Sequence, residues 1–529
     1  MKPISPFKSI NLRKKGVYSS SFKVVKIRTE SNGFGALKTL LIALMILLSL
    51  GTLLLIHYVA SQLFYWYLGF SFIMTILTCI FILSSNKHGL SKAVWMLFVL
   101  LAFYFGYVIY FLADERIFFR KSRKKYDKIF NDSDKFIQKY RQPNASRTVQ
   151  KDSEYLYRTG RFNTFTNCDL EYFSSGTKLF DDVIENLKQA EKFVFIEYFI
   201  LAKGVLFNRI FDVLKEKAKS GVDVRVIYDD MGSNKHLPKK LKSTLTNAGI
   251  KIFAYNRLVP YFSVALNYRD HRKIVVIDGK IAYTGGCNLA DEYINEKRIH
   301  GYWKDNGVRI KGGAVDSFTL MFLRQWSFVS NSFEDYTPYL NNYDAFTNES
   351  TVIPYADGLD YTHNIGKGIY ENVIGASQEK LFIMTPYLVL DDTMSDLIKN
   401  RALAGVDVRI ILPGIPDKKL VYSVSKNEAK KLAESGVKIY YMKDAFVHTK
   451  AVLTENCMIT GSINMDLRSF YQQFECALYT DDKKLMADLE NDFINTFDNC
   501  KVLHESHYKN KNLLIKLYTA VLQIFAPFM

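Results

Sequence analysis

Two short runs carry the residues best suited to chemistry: His271-Arg272-Lys273 and His448-Thr449-Lys450. In an extended strand, residues two apart project from one face, so each histidine shares a face with its lysine. An imidazole can attack an electrophile or carry a proton near neutral pH. A lysine ammonium beside it can hold a phosphate oxygen as a point charge. Each run leads to an acid, Asp278 or Glu455, and then to a small-residue turn: Gly285-Gly286-Cys287-Asn288 in the first and Gly461-Ser462-Ile463-Asn464 in the second. Such turns let the backbone approach an anion, and the asparagine amide can donate to it. One run alone would be an ordinary surface accident. Two runs with the same trailing pattern point to a paired catalytic site acting on a phosphate.

Such a pair needs a scaffold, and beyond residue 150 the chain reads as a duplicated one. The run from Glu191 to Leu201 is echoed from Glu379 to Leu390. Gly221-Val-Asp-Val-Arg-Val-Ile returns as Gly405-Val-Asp-Val-Arg-Ile-Ile, and Ala248-Gly-Ile-Lys-Ile-Phe as Ser435-Gly-Val-Lys-Ile-Tyr. Apolar β-branched runs alternate with polar helical stretches, which predicts an α/β fold: a mixed sheet flanked by helices. Three echoes in one order predict two repeats, over residues 151–340 and 341–505, that form one pseudo-twofold catalytic body.

These residues resemble the HKD motifs of the phospholipase D superfamily, and the resemblance extends to bacterial cardiolipin synthases. Gly285–Tyr293 looks like their GGxNxxDEY run, Tyr302-Trp303-Lys304-Asp305 like their YWRD, and Asn464–Phe470 with Phe474-Glu475 like their NxDxRSF…NFE. The resemblance covers roughly residues 60–529. It implies a membrane-bound phosphatidyltransferase that joins two phosphatidylglycerols into cardiolipin and glycerol, with no cofactor and no metal. It further implies that His271 is the nucleophile and His448 the general acid and base, with the assignment open to exchange. Asp305 and Glu475 would each orient the histidine of the opposite repeat. Lys273, Lys450, Asn288 and Asn464 would stabilise the charged transition state.

The second motif departs from the pattern. Glu455 stands where the family has Asp, and five residues separate it from Gly461, against six between Asp278 and Gly285. A shift of the Gly461–Asn464 turn would lower the rate sharply. The rival readings are a phosphodiesterase that passes the phosphatidyl group to water or another alcohol, a nuclease, and an inactive lipid-binding scaffold.

The charge distribution names the anionic partner. The chain of 529 residues has a net charge of +17. Residues 1–38, a basic arm, hold nine Lys/Arg against one Glu, and residues 114–128 hold seven against three acids. The excess therefore flanks the apolar stretches Thr39–Ala60, Leu63–Leu83 and Ala93–Ala113, each free of charge over bilayer length. This suits a chain pinned to an anionic lipid surface rather than one gripping nucleic acid, whose binding face should carry the charge. The membrane segment, residues 39–113, is expected to hold two or three transmembrane helices, followed by a basic linker over 114–150. The basic arm and linker favour a multi-pass protein of the plasma membrane with its catalytic body on the cytoplasmic side. Six cysteines without a CxxC pair exclude a disulfide-stapled scaffold and argue against a cysteine zinc site. At the far end, residues 506–529 carry Leu514, Leu517, Tyr518, Val521, Ile524 and Phe525 at helical spacing, which predicts an amphipathic helix.

Overall fold

The computed structural model describes residues 61–85, 89–113, 115–137, 144–238, 240–257, 268–344, 346–358 and 360–503, with isolated positions between 44 and 58 and at 522–523. The basic arm, most of the first apolar stretch and nearly all of the expected tail helix lie outside the described residues. The chain divides into two units, Met1–Phe72 and Ile73–Met529.

The second apolar stretch is a helix, α1 (Ser61–Leu83). Among the described residues its Leu63–Leu83 portion is the one helix long and apolar enough to cross a membrane. The third stretch, on which the count of two or three spans turns, is not one continuous helix. It forms α2 (Gly89–Leu101) and α3 (Gly106–Ala113), joined by a turn in which the Phe105 amide donates to the Ala102 carbonyl at 2.9 Å. The rings of Trp95 and Tyr110 meet at 5.3 Å, so α3 returns alongside α2 as a hairpin. Gly106 permits the return: a Cβ there would lie 2.9 Å from the Val99 Cα. At 1.5 Å per residue, α2 is about 20 Å long, short of the ~30 Å hydrocarbon core. Composition concealed the break because Ala102–Phe105 are themselves apolar.

The linker helix α4 (Glu115–Ser133) and α5 (Arg147–Gly160) lead into the repeats. The first repeat runs β1 (Asp169–Phe173), α6 (Gly176–Lys188), β2 (Phe193–Tyr198), α7 (Val205–Lys219), β3 (Asp223–Asp229), β4 (Lys251–Tyr255), β5 (Arg269–Asp270), β6 (Lys273–Ile277), β7 (Ile281–Gly285), β8 (Tyr302–Lys304), β9 (Gly307–Lys311) and α8 (Val315–Ser330). The second runs β10 (Val352–Asp357), α9 (Ile365–Ala376), β11 (Lys380–Met384), β12 (Leu388–Val389), α10 (Asp392–Leu403), β13 (Asp407–Pro413), α11 (Lys419–Ala433), β14 (Lys438–Met442), β15 (Ala445–Val447), β16 (Ala451–Thr454), β17 (Met458–Gly461), β18 (Met465–Asp466), α12 (Leu467–Gln472), β19 (Gln473–Thr480), α13 (Lys483–Phe497) and β20 (Cys500–Val502).

The duplication is visible in the sheets. The first has the order β1-β9-β7-β6-β2-β3-β4 and the second β10-β19-β17-β16-β11-β13-β14-β20, the same path with β20 added at one edge. In each, three strands are parallel (β2-β3-β4, β11-β13-β14) and the rest antiparallel. The inner strands β2 and β6 are buried along their whole length, which is why they read as unbroken apolar runs rather than alternating ones. Two short parallel seams join the repeats. β5 pairs with the start of β19 (Arg269↔Gln473, Asp270↔Phe474), and β8 pairs with β15 (Tyr302↔Ala445, Lys304↔Val447).

The segment before β1 ignores the boundary drawn at residue 151. α5 packs against α9 and β10 of the second repeat, and the buried Tyr479 hydroxyl on β19 donates to Asp152 at 2.9 Å. α4 docks on α8 of the first repeat. Tyr126 stacks on Phe328 at 3.9 Å and donates to the Gln325 Oε1 at 2.9 Å. The Gln325 amide in turn donates to Asp270, the residue before His271, at 3.0 Å.

Candidate active site

The two seams place the histidines. The His271 amide donates to the Phe474 carbonyl at 2.8 Å, and the His448 amide to the Lys304 carbonyl at 2.7 Å. Each backbone link carries a carboxylate one residue further along the partner repeat. His271 Nδ1 lies 3.0 Å from both Glu475 carboxylate oxygens, and His448 Nδ1 lies 2.7 Å from Asp305 Oδ2. Both rings line a single cavity of about 360 Å³. With Nδ1–H committed to the carboxylate, each ring keeps an unprotonated Nε2 for the cavity.

Glycine and serine at equivalent positions fit the two carboxylates to their rings. A Cβ on Gly286 would lie 2.0 Å from Asp305 Oδ1, so only glycine leaves room for the aspartate. At the matching position Ser462 donates to Glu475 Oε2 at 2.5 Å and accepts from the Cys476 amide at 2.9 Å. Gly285 adopts φ +157° and sits against the Asn306 carbonyl, with no room for a side chain.

Several expected site residues stand elsewhere than in the cavity wall. The ammonium groups of Lys273 and Lys450 lie behind the histidines, and each donates to the carbonyl of its own histidine. Lys450 Nζ is also 2.9 Å from His448 Nδ1. Asn288 and Asn464 do reach the wall. Asn288 is already engaged: its Oδ1 accepts from the Ile200 amide at 3.1 Å and its Nδ2 donates to the Tyr293 hydroxyl at 2.6 Å. Asn464 Oδ1 is buried with no hydrogen-bond partner among the described residues.

Asp278 and Glu455, expected among the catalytic residues, sit at the far ends of β6 and β16. Asp278 accepts from the amides of Glu191, Lys192 and Phe193 at 2.7–2.8 Å and so fixes the entry to β2. Glu455 accepts from Gln378 at 2.9 Å and from Glu379 and Lys380 at 3.4 Å, fixing the entry to β11. They position strands and do not touch the cavity. The missing residue is absorbed in the hairpin. The β16–β17 turn closes tightly, with the Thr454 amide donating to the Cys457 carbonyl at 3.0 Å, and Gly461 still faces Lys450, whose carbonyl takes its amide at 3.4 Å.

Burial sets the electrostatics. It holds His271 well below the usual histidine range, helped by Lys273. It also brings His448 down to about 4, with Lys450 pushing the same way and Asp305 opposing. Lys273 falls to about 8 and Lys450 to about 7, again through burial. The two carboxyls diverge. For Glu475, burial outweighs Lys273 and Ser462 and pushes the group well up. For Asp305, burial is outweighed by His448 and Lys450, and the group is lowered.

Sequence reasoning had no means of finding part of the wall. Tyr387, Asp417 and Lys418 arrive on the loops after β11 and β13, where no motif marks them. Phe199, on the loop after β2, sets its ring edge-on to His271 at 5.0 Å. Tyr293 and Trp303 lie inside the quoted runs, and their rings pack on His448 at 5.3 and 5.4 Å.

Comparison with known proteins places this arrangement. The sequence model of a family described as cardiolipin synthase, PLD-like domain, matches twice, over residues 183–311 and 370–497. A cardiolipin synthase of Alkalihalophilus pseudofirmus is 30% identical over 478 residues, covering 87% of this chain and 94% of that protein. The chain belongs to the cardiolipin synthase family of the phospholipase D superfamily. It is an enzyme of that superfamily's phosphatidyltransferase class. A cardiolipin synthase of Staphylococcus aureus is 29% identical over 474 residues, covering 86% of this chain and 95% of that protein. An uncharacterized protein of Streptococcus mutans is 36% identical over 458 residues, covering 85% and 98%. Among solved structures, a phosphatidylserine synthase from Haemophilus influenzae shares the fold, with a TM-score of 0.54 at 17% identity, over 72% of this chain and 98% of that one.

Proposed function

We propose that the protein is a membrane-bound cardiolipin synthase that transfers a phosphatidyl group from one phosphatidylglycerol to another. The observation that carries this reading is the pair of histidines in one cavity, each with its Nδ1 held by a carboxylate of the other repeat. His271 Nε2 attacks the phosphorus of the first phosphatidylglycerol, the bond from phosphorus to the glycerol oxygen breaks, and His448 gives its Nε2 proton to the departing glycerol. In the second half, a hydroxyl of another phosphatidylglycerol yields its proton to His448 and attacks phosphorus. The phosphorus–nitrogen bond breaks, giving cardiolipin and free His271. Burial keeps His448 neutral; the negative charge of a bound phosphodiester favours its protonated form. Lys273 and Lys450, behind the rings, add positive potential where negative charge develops.

The two carboxyls bear on which histidine plays which part. Asp305 is lowered and stays ionised to support an imidazolium at His448, whereas Glu475 is pushed well up and supports one at His271 less, which favours His448 as the general acid over the exchanged assignment. Trapping separates the two: denaturing His448→Ala after brief exposure to radiolabelled phosphatidylglycerol should leave label on His271, whereas label retained by His271→Ala means exchange.

The membrane reading rests on α1, on the hairpin and on the basic residues flanking them. A hairpin returns the chain to the side it entered from, which keeps the basic run 114–128 beside Lys92 and supports a cytoplasmic body. The reaction is tested by giving the purified full chain phosphatidylglycerol in detergent and resolving the products. Cardiolipin and glycerol in equal amounts are expected; phosphatidic acid without cardiolipin would overturn the reading.

A further inference from the structure

The two repeats share one strand order, but the cavity between them is not symmetric in charge. Asn288 and Asn464 hold matching places, and so do the residues four further on, which are Glu292 and Arg468. The match is structural as well as numerical. Leu289 bridges Leu201 in one repeat just as Met465 pairs with Leu388 in the other. Glu292 and Arg468 both line the cavity, both are partly exposed, and neither side chain makes a hydrogen bond or ion pair with any described residue.

The two ends belong to different histidines. Tyr293, next to Glu292, sets its ring edge-on to His448 at 5.3 Å, with Trp303 at 5.4 Å from the same imidazole. Arg468 lies on α12, which runs straight into the β19 residues paired with Arg269 and Asp270 beside His271. Lys418 lines the same cavity, and its charge is one of those depressing His271. It is partly balanced by Asp417, 4.0 Å away, whose carboxylate also takes the Tyr387 hydroxyl. Arg468 has no ion pair among the described residues, although its charge, like that of Lys418, favours the ionised form of the buried Asp466 that caps α12 and lines the same cavity. The cavity is therefore asymmetric along the line between its histidines, with the Glu292 carboxylate and two aromatic rings at the His448 end and the Arg468 guanidinium, beside Asp466, at the His271 end.

We infer that this polarity fixes the direction in which a phosphatidylglycerol lies, with its glycerol at the Glu292 end and its phosphatidyl group toward Arg468. A carboxylate is an acceptor only, suited to the hydroxyls of a polyol and repelling a phosphate. Aromatic faces suit its carbon backbone. A guanidinium suits phosphate oxygens. The leaving glycerol and the attacking glycerol use the same end, so Glu292 is a headgroup-binding residue that favours a glycerol acceptor over an alcohol with no second hydroxyl. This rests on the transferase reading proposed above.

The test is competition between acceptors. Full-length protein in detergent receives phosphatidylglycerol and a fixed concentration of ethanol, and the ratio of cardiolipin to phosphatidylethanol is measured. In Glu292→Gln the ratio should fall about tenfold or more, the worth of a charge-assisted hydrogen bond, while Arg468→Gln should raise the KM for the donor and leave the ratio near the parent value. Glu292→Asp should restore part of the preference. Equal loss of both products in Glu292→Gln would overturn the inference, and a ratio that moves in Arg468→Gln instead would place the glycerol at the opposite end. A parent protein that makes neither product and releases only phosphatidic acid would overturn the transferase reading itself. Because neither side chain makes a hydrogen bond or ion pair among the described residues, both substitutions should leave thermal unfolding unchanged; a variant that unfolds early is replaced by Glu292→Asp or Arg468→Lys, read by the same ratio.

Discussion

Glu455 accepts from the Gln378 amide at 2.9 Å, at the place where Asp278 accepts from Glu191 at 2.8 Å. The two acids serve equivalent strand entries, since residues 191–193 and 378–380 precede equivalent pairings with Asp223 and Asp407. The glutamate is one methylene longer and its hairpin one residue shorter, so the longer side chain makes up the missing reach. Restoring the family's aspartate should therefore harm this protein. Glu455→Asp is expected to cost about 1 kcal/mol in the thermal unfolding of the detergent-solubilised chain. Adding one residue to the β16–β17 turn in the same variant should recover it. Unchanged unfolding in the single variant would mean that the two changes are unrelated.

Asp305→Asn should remove most activity with the fold intact. An amide can donate to His448 Nδ1 and hold the ring in the wrong tautomer, and the loss for such a change is about 10³- to 10⁴-fold in kcat. Glu475→Gln should do the same through His271. Steady-state turnover with phosphatidylglycerol reads both, and near-normal kcat in either would deny the carboxylates their orienting role.

Gly286→Ala should be costly although alanine is a small change. Its Cβ would fall 2.0 Å from Asp305 Oδ1 and 3.0 Å from the His448 carbonyl, so the carboxylate or the histidine strand must move. A displacement of this size is worth about 10²-fold in rate. The equivalent Ser462→Gly should lose less, because it frees Glu475 without crowding it. Similar losses from the two would count against the steric account.

The pH profile follows from the buried lysines. A lysine lowered to about 7 or 8 is a cation below that pH and loses its charge above it. Positive potential for the phosphodiester therefore declines as pH rises through 7 and then 8, and kcat/KM, which reports the free enzyme, should decline with it. On the acid side, kcat/KM should hold until the nucleophile His271, which burial keeps well below the usual histidine range, gains a proton. Bound substrate returns negative charge to the site, so kcat should persist to higher pH than kcat/KM. A kcat/KM that climbs from pH 7 to 9 would contradict this.

The hairpin predicts the sidedness of the chain. Cysteines introduced by Lys92→Cys and Lys121→Cys in a background without native cysteines should be labelled from the same face of sealed vesicles. Labelling from opposite faces would mean that residues 89–113 cross the membrane after all.

The two histidine runs were legible in sequence because side-chain period and turn chemistry are local, and duplication doubled the signal. The two-repeat α/β architecture followed from the echoes for the same reason, whereas the order of strands in each sheet did not. The hairpin was not legible. Its turn is as apolar as a span, and the deciding contacts, Gly106 on Val99 and Trp95 on Tyr110, exist only once the chain has folded back. Nor could spacing reveal that Asn288 already serves Ile200 and Tyr293, or that α5 lies on the second repeat.

The crossed pairing of His271 with Glu475 and His448 with Asp305 has a consequence for inheritance. Neither half of the gene encodes a working imidazole, because each depends on an acid written in the other half. The halves cannot diverge freely after duplication, and a change near one histidine is answerable to a codon 204 positions away for His271 and 143 for His448. Cut in two and expressed as separate pieces, the protein should behave as a heterodimer whose members are inert alone and competent only as a matched couple.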